Sequence, residues 1–208
     1  SFKQGSDVKT VVGIEYKGAG IKLVNKVYDP AEDSYLLSDA TISYAKEGMH
    51  VLEIGTGTGF VSSVLLANVN VELTATDINP HAAKCAKSNG IEVIRTDMFD
   101  GLKVESCFDM IIFNPPYLPT SDDEKVPGWL NYAFDGGRDG RMAVERFLDH
   151  VCGYLAPSGM ILLLVSSLTG IEDVSSRMGA MGFDVEIVGR EKCSFEELVV
   201  IMGKRRHS

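Results

Sequence analysis

Several features that mark particular classes of protein are scarce in this sequence. Only 4 of its 208 residues are cysteines, and Cys85, Cys107, Cys152 and Cys193 lie far apart without a CxxC pair. The four histidines show no metal-ligand spacing either, so the sequence predicts neither a disulfide framework nor a bound metal. This cysteine usage is typical of a reducing, cytoplasmic compartment, and we expect that localisation.

Long apolar runs are absent as well. The longest one covers residues 160–165. A membrane-spanning helix requires roughly 18 to 20 apolar residues, so we expect no transmembrane segment and no membrane partner. The first residues contain no apolar core followed by a small-residue cleavage site, and a secretory signal is therefore not expected.

Positive charge is in short supply. The chain has 20 Lys and Arg against 29 Asp and Glu, a net charge of −9. Proteins that grip nucleic acid through its phosphates present clustered Lys and Arg, whereas the only basic run here covers residues 204–206. The composition therefore argues against nucleic acid as a direct substrate. Hydrophobic residues make up 45% of the chain, enough for a core without a disulfide or metal staple.

The hydrophobic pattern predicts an α/β fold. Short β-rich runs alternate with segments of helical composition, and the runs are apolar enough to lie inside a sheet. Candidate strands cover residues 51–54, 71–76, 91–95, 110–113 and 160–165, and candidate helices cover 61–67, 80–88 and 141–155. This alternation specifies a doubly wound, mostly parallel sheet with helices on both faces.

The C-terminal end departs from this alternation. Residues 183–188 and 198–202 are strand-like runs that are joined by a polar loop without an intervening helix. Such runs pair antiparallel, so the sequence predicts a hairpin at the edge of the sheet and a reversed last strand.

The N-terminal end predicts a second hairpin. Residues 11–16 and 21–24 are strand-like, and Lys17-Gly18-Ala19-Gly20 lies between them. We expect residues 1–27 to form a short N-terminal extension and residues 28–208 to form one domain.

A glycine-rich loop follows the first central strand. The segment Glu53-Ile54-Gly55-Thr56-Gly57-Thr58-Gly59 leads into a predicted helix. Glycines allow unusual dihedral angles and let a ligand approach the bare backbone. A dinucleotide fingerprint would need its third glycine at position 60, which is Phe60, and the GxxxxGK[ST] pattern is absent. The loop is therefore predicted to bind a nucleoside without a pyrophosphate.

Two carboxylates at strand ends support a nucleoside site. Asp77 ends the second central strand, where an acidic side chain can accept both ribose hydroxyls. Asp97 follows the third strand and could receive the exocyclic amine of an adenine, or it could cap the next turn. A glycine-rich turn alone could be simple turn chemistry, so the prediction depends on the combination.

These residues resemble the S-adenosylmethionine-dependent methyltransferases of the Rossmann-like class, whose glycine loop has this E-x-G-x-G-x-G form. The resemblance implies S-adenosyl-L-methionine as cofactor, S-adenosyl-L-homocysteine as product, and a seven-stranded sheet with a reversed C-terminal strand. It also implies that Ile78 and Met98, which follow the two carboxylates, contact the cofactor.

The fourth central strand runs into Asn114-Pro115-Pro116-Tyr117. The prolines fix the backbone and remove two donors, which leaves the Asn114 side-chain oxygen and the Pro115 carbonyl as rigid acceptors. Both could accept hydrogens from a planar NH₂ group and aim its nitrogen lone pair at the sulfonium methyl group, while Tyr117 packs on the flat face of the substrate. Asn114 is also a predicted cofactor contact. A strand terminator or a linear ligand for another domain is the alternative.

Two further segments indicate the substrate. The motif above resembles adenine-N6 DNA enzymes, guanine-N2 RNA enzymes and protein-glutamine enzymes alike. The segments Tyr28–Leu37 and Gly136–Arg141, however, resemble the HemK-like glutamine methyltransferases, and the first matches the eukaryotic and archaeal class-1 release-factor enzyme. The resemblance implies cofactor contacts from Tyr28, Pro30, Asp33 and Ser34. Without it, residues 30–33 are simply a good helix start, and the glycines at 136–137 a flexible turn.

The resemblance implies N5-methylation of the glutamine in the Gly-Gly-Gln loop of a class-1 translation termination factor. It also implies a heterodimer with a small zinc-binding activator subunit. An apolar strand at 91–95 on the sheet edge would favour such a partner, although neighbouring helices could equally cover it. Only 52 residues precede Glu53, too few for a helical substrate domain, so recognition is expected to come from loops or another chain.

Three alternatives are weighed from the sequence. One is a nucleic-acid N-methyltransferase that acts on adenine N6 or guanine N2, although the chain shows no basic surface for it. The second is a cofactor-binding scaffold that has lost catalysis, against which the intact residues 114–117 argue. The third is a protein-lysine methyltransferase, but lysine amines are not planar and do not call for this pair of acceptors.

Overall fold

Seven strands form one central β-sheet in the part of the chain that the structure describes. The computed structural model describes residues 12–105, 107–115 and 141–206. The strands are β1 (Val12–Tyr16), β2 (Ala19–Leu23), β3 (His50–Ile54), β4 (Glu72–Asp77), β5 (Val93–Arg95), β6 (Phe108–Phe113), β7 (Leu155–Ser166), β8 (Phe183–Lys192) and β9 (Glu197–Arg205). Strands β3 to β9 form the central sheet, and β1 and β2 form a separate two-stranded sheet. The helices are α1 (Glu32–Tyr44), α2 (Phe60–Asn68), α3 (Pro80–Ser88), α4 (Met142–His150) and α5 (Ile171–Ala180).

The strand order of the sheet is β5-β4-β3-β6-β7-β9-β8. The strands from β5 to β7 run parallel to one another, and β9 runs antiparallel to both of its neighbours. The doubly wound sheet with a reversed C-terminal strand is therefore confirmed, as is the position of β5 at an edge. Because the strand order reverses between β3 and β6, their carboxyl ends form the crevice in which such sheets bind ligands.

The continuous apolar runs reflect a sheet that is buried on both faces. In β7, Ile161 and Leu163 belong to one hydrophobic cluster, and Leu162 and Leu164 belong to the other. The first cluster includes α4 and α5, and the second includes α1, α2 and the β1–β2 hairpin. Successive strand residues point to opposite faces, so a doubly covered strand must be apolar at every position.

The predicted N-terminal hairpin is confirmed as the antiparallel pair β1–β2. Its turn residues Lys17 and Gly18 both have positive φ, at 46° and 84°, as a two-residue hairpin turn requires. The Asn89 side chain accepts a hydrogen bond from the Lys22 backbone and donates to the carbonyls of Lys22 and Thr58. The hairpin is thereby tied to the glycine-rich loop.

Two helical regions differ from the sequence prediction. The helix predicted over residues 141–155 ends at His150, and a 3₁₀ turn over Val151–Gly153 leads directly into β7. Gly153 and Pro157 both disfavour continuation of a helix. Helix α5 was not predicted, although acidic residues in its first turn, Arg177 in its last and a following glycine are standard signals. None of the described helices is long and apolar enough to cross a membrane.

Candidate active site

The glycine-rich loop opens toward empty space at the carboxyl end of β3. Gly55, Gly57 and Gly59 have φ values of 69°, 59° and 83°, a region that other residues rarely adopt. A Cβ atom built on Gly55 or Gly57 would meet no atom within 4 Å. At Gly59 it would lie 3.0 Å from Ile91 Cγ1, because this glycine packs against the end of α3. The first two glycines therefore face open space, and the third packs against α3.

Glu53 lies beneath this loop and is only 3% exposed. Its carboxylate accepts hydrogen bonds from the Thr56 hydroxyl in the loop and from the Ser62 hydroxyl, 2.8 Å away, in α2. Burial raises the pKa of Glu53 to about 7, although the hydrogen bonds from both hydroxyls lower it. The side chain joins strand, loop and helix, and it is buried beneath the loop.

Asp77 ends β4 beside the glycine-rich loop. Its Oδ2 accepts the backbone N–H of Gly57 at 2.8 Å, and its Oδ1 accepts that of Asn79 at 2.9 Å. Burial raises the pKa of the Asp77 carboxyl, while these two backbone hydrogen bonds lower it. Each carboxylate oxygen can accept a further hydrogen bond. The following Ile78 is half-buried.

Asp97 follows β5 and forms an ion pair that the sequence did not predict. The Arg146 guanidinium in α4 donates to Asp97 Oδ1 at 2.7 Å and lies 3.7 Å from Asp100. The partner was missed because 49 residues separate the two side chains along the chain. Met98 is half-buried and has a φ of 53°, an unusual conformation for a residue that is not glycine.

Asp33 and Asn114 meet at the end of β6. Asp33 is 2% exposed, and its Oδ2 accepts a hydrogen bond from Asn114 Nδ2 at 2.8 Å. Its Oδ1 accepts from the Tyr28 hydroxyl at 3.3 Å and the Ser34 hydroxyl at 3.4 Å. At the other end of the amide, Asn114 Oδ1 is buried and has no hydrogen-bond partner among the described residues. Buried polar atoms are nearly always paired, so this oxygen is a candidate acceptor for a ligand.

Other predicted site residues lie close to these groups in the chain or outside the described part. Pro30 is half-buried just before α1, and Pro115 is buried next to Asn114. Pro116 and Tyr117 lie outside the described residues, as does the segment 136–140. Arg141, which follows that segment, donates to the Thr169 carbonyl at 2.7 Å and pairs with Asp173.

Comparisons with known proteins agree with this geometry. The family model of the methyltransferase small domain matches residues 33–127. A Methanocaldococcus jannaschii protein whose name assigns it to the protein N5-glutamine methyltransferases is 44% identical over 198 residues, which cover 92% of this chain and 98% of that protein. The chain belongs to the HemK-like family of protein N5-glutamine methyltransferases.

Two further relatives support membership of the HemK-like family. Human methyltransferase HEMK2 is 35% identical over 169 residues, which cover 75% of this chain and 79% of that protein. The solved structure of the E. cuniculi Mtq2–Trm112 complex superposes with a TM-score of 0.74 at 29% identity, covering 87% of this chain and 99% of that one. That complex is described as responsible for methylating the eRF1 translation termination factor.

The cofactor of this HemK-like methyltransferase is S-adenosyl-L-methionine, and the residues at the crevice fit it. The open space before Gly55 and Gly57 admits a ligand against the backbone. Asp77 retains acceptor capacity for hydroxyl groups. Asp33 is buried without a cationic partner among the described residues, a costly arrangement unless a positively charged ligand lies near. The sulfonium and ammonium groups of the cofactor would supply that charge.

Proposed function

We propose that this protein methylates the side-chain nitrogen, N5, of the glutamine in the Gly-Gly-Gln loop of a class-1 translation termination factor. One observation carries the proposal: Asn114 Oδ1, at the end of β6, is buried and has no hydrogen-bond partner among the described residues, and Pro115 with its backbone carbonyl follows directly in the chain. Two hydrogens on one planar nitrogen need two such acceptors. The named activities of the relatives support a glutamine in a termination factor as the group that carries this nitrogen.

The proposed chemistry depends on how the nitrogen is held. An amide nitrogen is a poor nucleophile because its lone pair is delocalised into the carbonyl group. Asn114 Oδ1 and the Pro115 carbonyl would each accept one of its hydrogens and favour a pyramidal nitrogen with a directed lone pair. Preorganised acceptors of this kind supply orientation and charge stabilisation without a strong base. Tyr117 is proposed to pack on the flat face of the amide.

The cofactor would occupy the crevice between β3 and β6. When bound, S-adenosyl-L-methionine would supply an electrophilic methyl group: the new N–C bond replaces the S–C bond, S-adenosyl-L-homocysteine is the leaving group, and the amide nitrogen releases one proton. We propose that Asp77 accepts the ribose hydroxyls and that Asp97 accepts the adenine amine. The other proposed contacts are Tyr28, Pro30, Asp33, Ser34, Glu53, Gly55, Gly57, Ile78, Met98 and Asn114.

A small activator subunit is proposed to bind the edge strand β5. Ile94 in this strand is 41% exposed, and an edge strand leaves backbone groups free for pairing. The E. cuniculi structure contains a second chain, Trm112. We propose that the partner of this protein binds zinc. Ile94→Lys should weaken copurification with the subunit, whereas Leu66→Lys, at an equally exposed apolar residue on α2, should not. The widely spaced free cysteines support a cytoplasmic setting.

A radiolabelled methyl-transfer assay tests the proposed substrate. The enzyme would be offered a class-1 release factor, the same factor with its loop glutamine replaced, and nucleic acid, each with and without the zinc-binding subunit. We expect label only in the intact factor. Transfer to nucleic acid alone would overturn the proposal in favour of an exocyclic base amine.

A further inference from the structure

The orientation of the Asn114 amide must be fixed for it to serve as an acceptor. An asparagine amide has two ends of similar shape, of which one accepts hydrogen bonds and the other donates two. A rotation of the amide by half a turn would present Nδ2 to the substrate nitrogen. Two NH₂ groups that face each other have no acceptor between them, so the rotated side chain could not hold the glutamine.

We infer that Asp33 is the positioning residue that selects the productive orientation of the Asn114 amide. The inference rests on the proposed function, because it takes Asn114 Oδ1 as the acceptor. Asp33 Oδ2 lies 2.8 Å from Asn114 Nδ2. An ionised carboxylate can only accept, so the rotated amide would bring its own oxygen against a negative oxygen and lose a charge-assisted bond.

Asp33 is itself held in place from its own segment. The hydroxyls of Tyr28 and Ser34 both donate to Oδ1, which leaves Oδ2 to Asn114. Asp33 lies in the first turn of the 13-residue helix α1, whose N-terminus stabilises negative charge. At 2% exposure, the carboxylate is poorly screened by water, so its effect on the Asn114 amide is strong.

This contact joins two distant segments of the chain at the site. Asp33 and Asn114 are 81 residues apart in the sequence, one at the start of α1 and the other at the end of β6. Because Asp33 is also a proposed cofactor contact, the same carboxylate would face the positive cofactor and orient the acceptor for the substrate. The acceptor would therefore be correctly presented only when α1 is docked at the crevice.

A double-mutant cycle tests the inference in the full chain with its activator subunit and a class-1 release factor. In Asp33→Asn, the new amide can donate to Asn114 Oδ1 and occupy the acceptor. We expect kcat at saturating cofactor to fall by about tenfold or more. Asn114→Asp places two carboxylates together and should lose more. In the double variant the amide at position 33 can donate to the carboxylate at 114, which leaves one oxygen free, so kcat should exceed that of both single variants.

A merely structural role for Asp33 predicts additive losses, because each substitution would then act independently. Glu32→Gln is the matched control, since it removes an exposed carboxylate from the same helix turn. It should leave kcat unchanged. Additive losses in the double variant, or an Asp33→Asn enzyme with wild-type kcat, would overturn the inference.

A spectroscopic measurement without substrate separates this inference from the proposed function. In ¹⁵N-labelled protein, the Asn114 side-chain NH₂ signal is assigned by its disappearance in Asn114→Asp. We expect one of its hydrogens to be protected from exchange in the wild type and in Glu32→Gln, and unprotected in Asp33→Asn. An unprotected wild-type signal would overturn the inference. If protection is seen but the wild type methylates no glutamine, only the proposed function fails.

Discussion

The two halves of the active site are built in different ways. The half around the glycine-rich loop is local, because Glu53, Gly57 and Asp77 lie within two successive strand–loop units and are joined by backbone and hydroxyl hydrogen bonds. The half around Asn114 depends on one side-chain contact, from Asp33, which comes from a distant segment. Several hydrogen bonds hold the first half in place, whereas among the described residues only the Asp33 side chain supports Asn114.

Because of this difference, we expect mutations in the two halves to have different consequences. In the glycine-loop half, removal of one side chain leaves other bonds that hold the loop, so the loss should show mainly as weaker cofactor binding. In the Asn114 half, removal of one group should stop methyl transfer while the fold and the cofactor site survive. The four predictions below test this division, beginning with the largest expected effect.

Asn114→Ala should abolish turnover and leave cofactor binding largely intact. Loss of the acceptor removes an interaction that matters most in the transition state, so we expect kcat to fall by about 10³-fold. Affinity for S-adenosyl-L-homocysteine, measured by calorimetry, should stay within about fivefold of the wild type. Retained turnover with a release-factor substrate would refute the role of Asn114. A loss of cofactor affinity as large as the loss of kcat would refute the separation of the two halves.

Glu53→Gln should change how stability depends on pH. Because burial raises the folded-state pKa of Glu53 to about 7, the folded protein holds the proton more tightly than the unfolded chain. The proton on Glu53 therefore adds its full share to the free energy of unfolding below the unfolded pKa of about 4.3, and this share is lost as the pH rises to about 7. Glutamine keeps the shape and an acceptor oxygen without this titration.

The measurement for Glu53 is the free energy of unfolding at pH 4.5 and pH 8. From pH 4.5 to pH 8, the free energy of unfolding of Glu53→Gln should rise by about 3 kcal/mol relative to that of the wild type. Glu15→Gln, at an exposed glutamate, should show no such gain and serves as the control. Parallel pH profiles for the wild type and Glu53→Gln would show that Glu53 is ionised in the fold at no cost.

The same division explains what the sequence could predict. Local features were accessible: the apolar runs gave the buried strands, the strand-like ends gave both hairpins, and the glycine spacing located the loop after β3. Contacts between distant side chains could not be predicted from the sequence. Neither the hydrogen bond from Asn114 to Asp33 nor the ion pair between Arg146 and Asp97 corresponds to a recognisable spacing of residues.

A helix start and a site carboxylate share one segment, residues 30–33. The sequence predicts for this segment either a cofactor-covering role or an ordinary helix start, and the helix start is confirmed. The structure begins α1 at Glu32 and buries Asp33 against Asn114 at the crevice. A helix N-terminus and a site carboxylate are compatible here, because the first turn both tolerates and stabilises a negative charge.

Asp77→Ala should weaken both cofactor binding and the fold. The substitution leaves the N–H groups of Gly57 and Asn79 without their acceptor, which costs about 1–3 kcal/mol when such groups are buried. We expect S-adenosyl-L-homocysteine to bind about 30-fold more weakly in calorimetry, because the ribose acceptor is lost as well. Asp77→Asn, which keeps one acceptor oxygen, should lie between. Unchanged affinity in Asp77→Ala would place the ribose elsewhere.

Arg146→Met should have the smallest effect on cofactor affinity. It tests the Arg146–Asp97 ion pair, which lies beside the glycine-loop half. The Arg146–Asp97 pair is partly exposed, with side-chain exposures of 40% and 35%, so water and salt screen it. Its loss should change the affinity for S-adenosyl-L-homocysteine by about two- to fivefold, and less at high salt. Arg177→Met, which removes a similar ion pair with Asp149 between α4 and α5, is the control and should have no effect. A loss as large as that of Asp77→Ala would mean that Asp97 depends on one distant support, as Asn114 does.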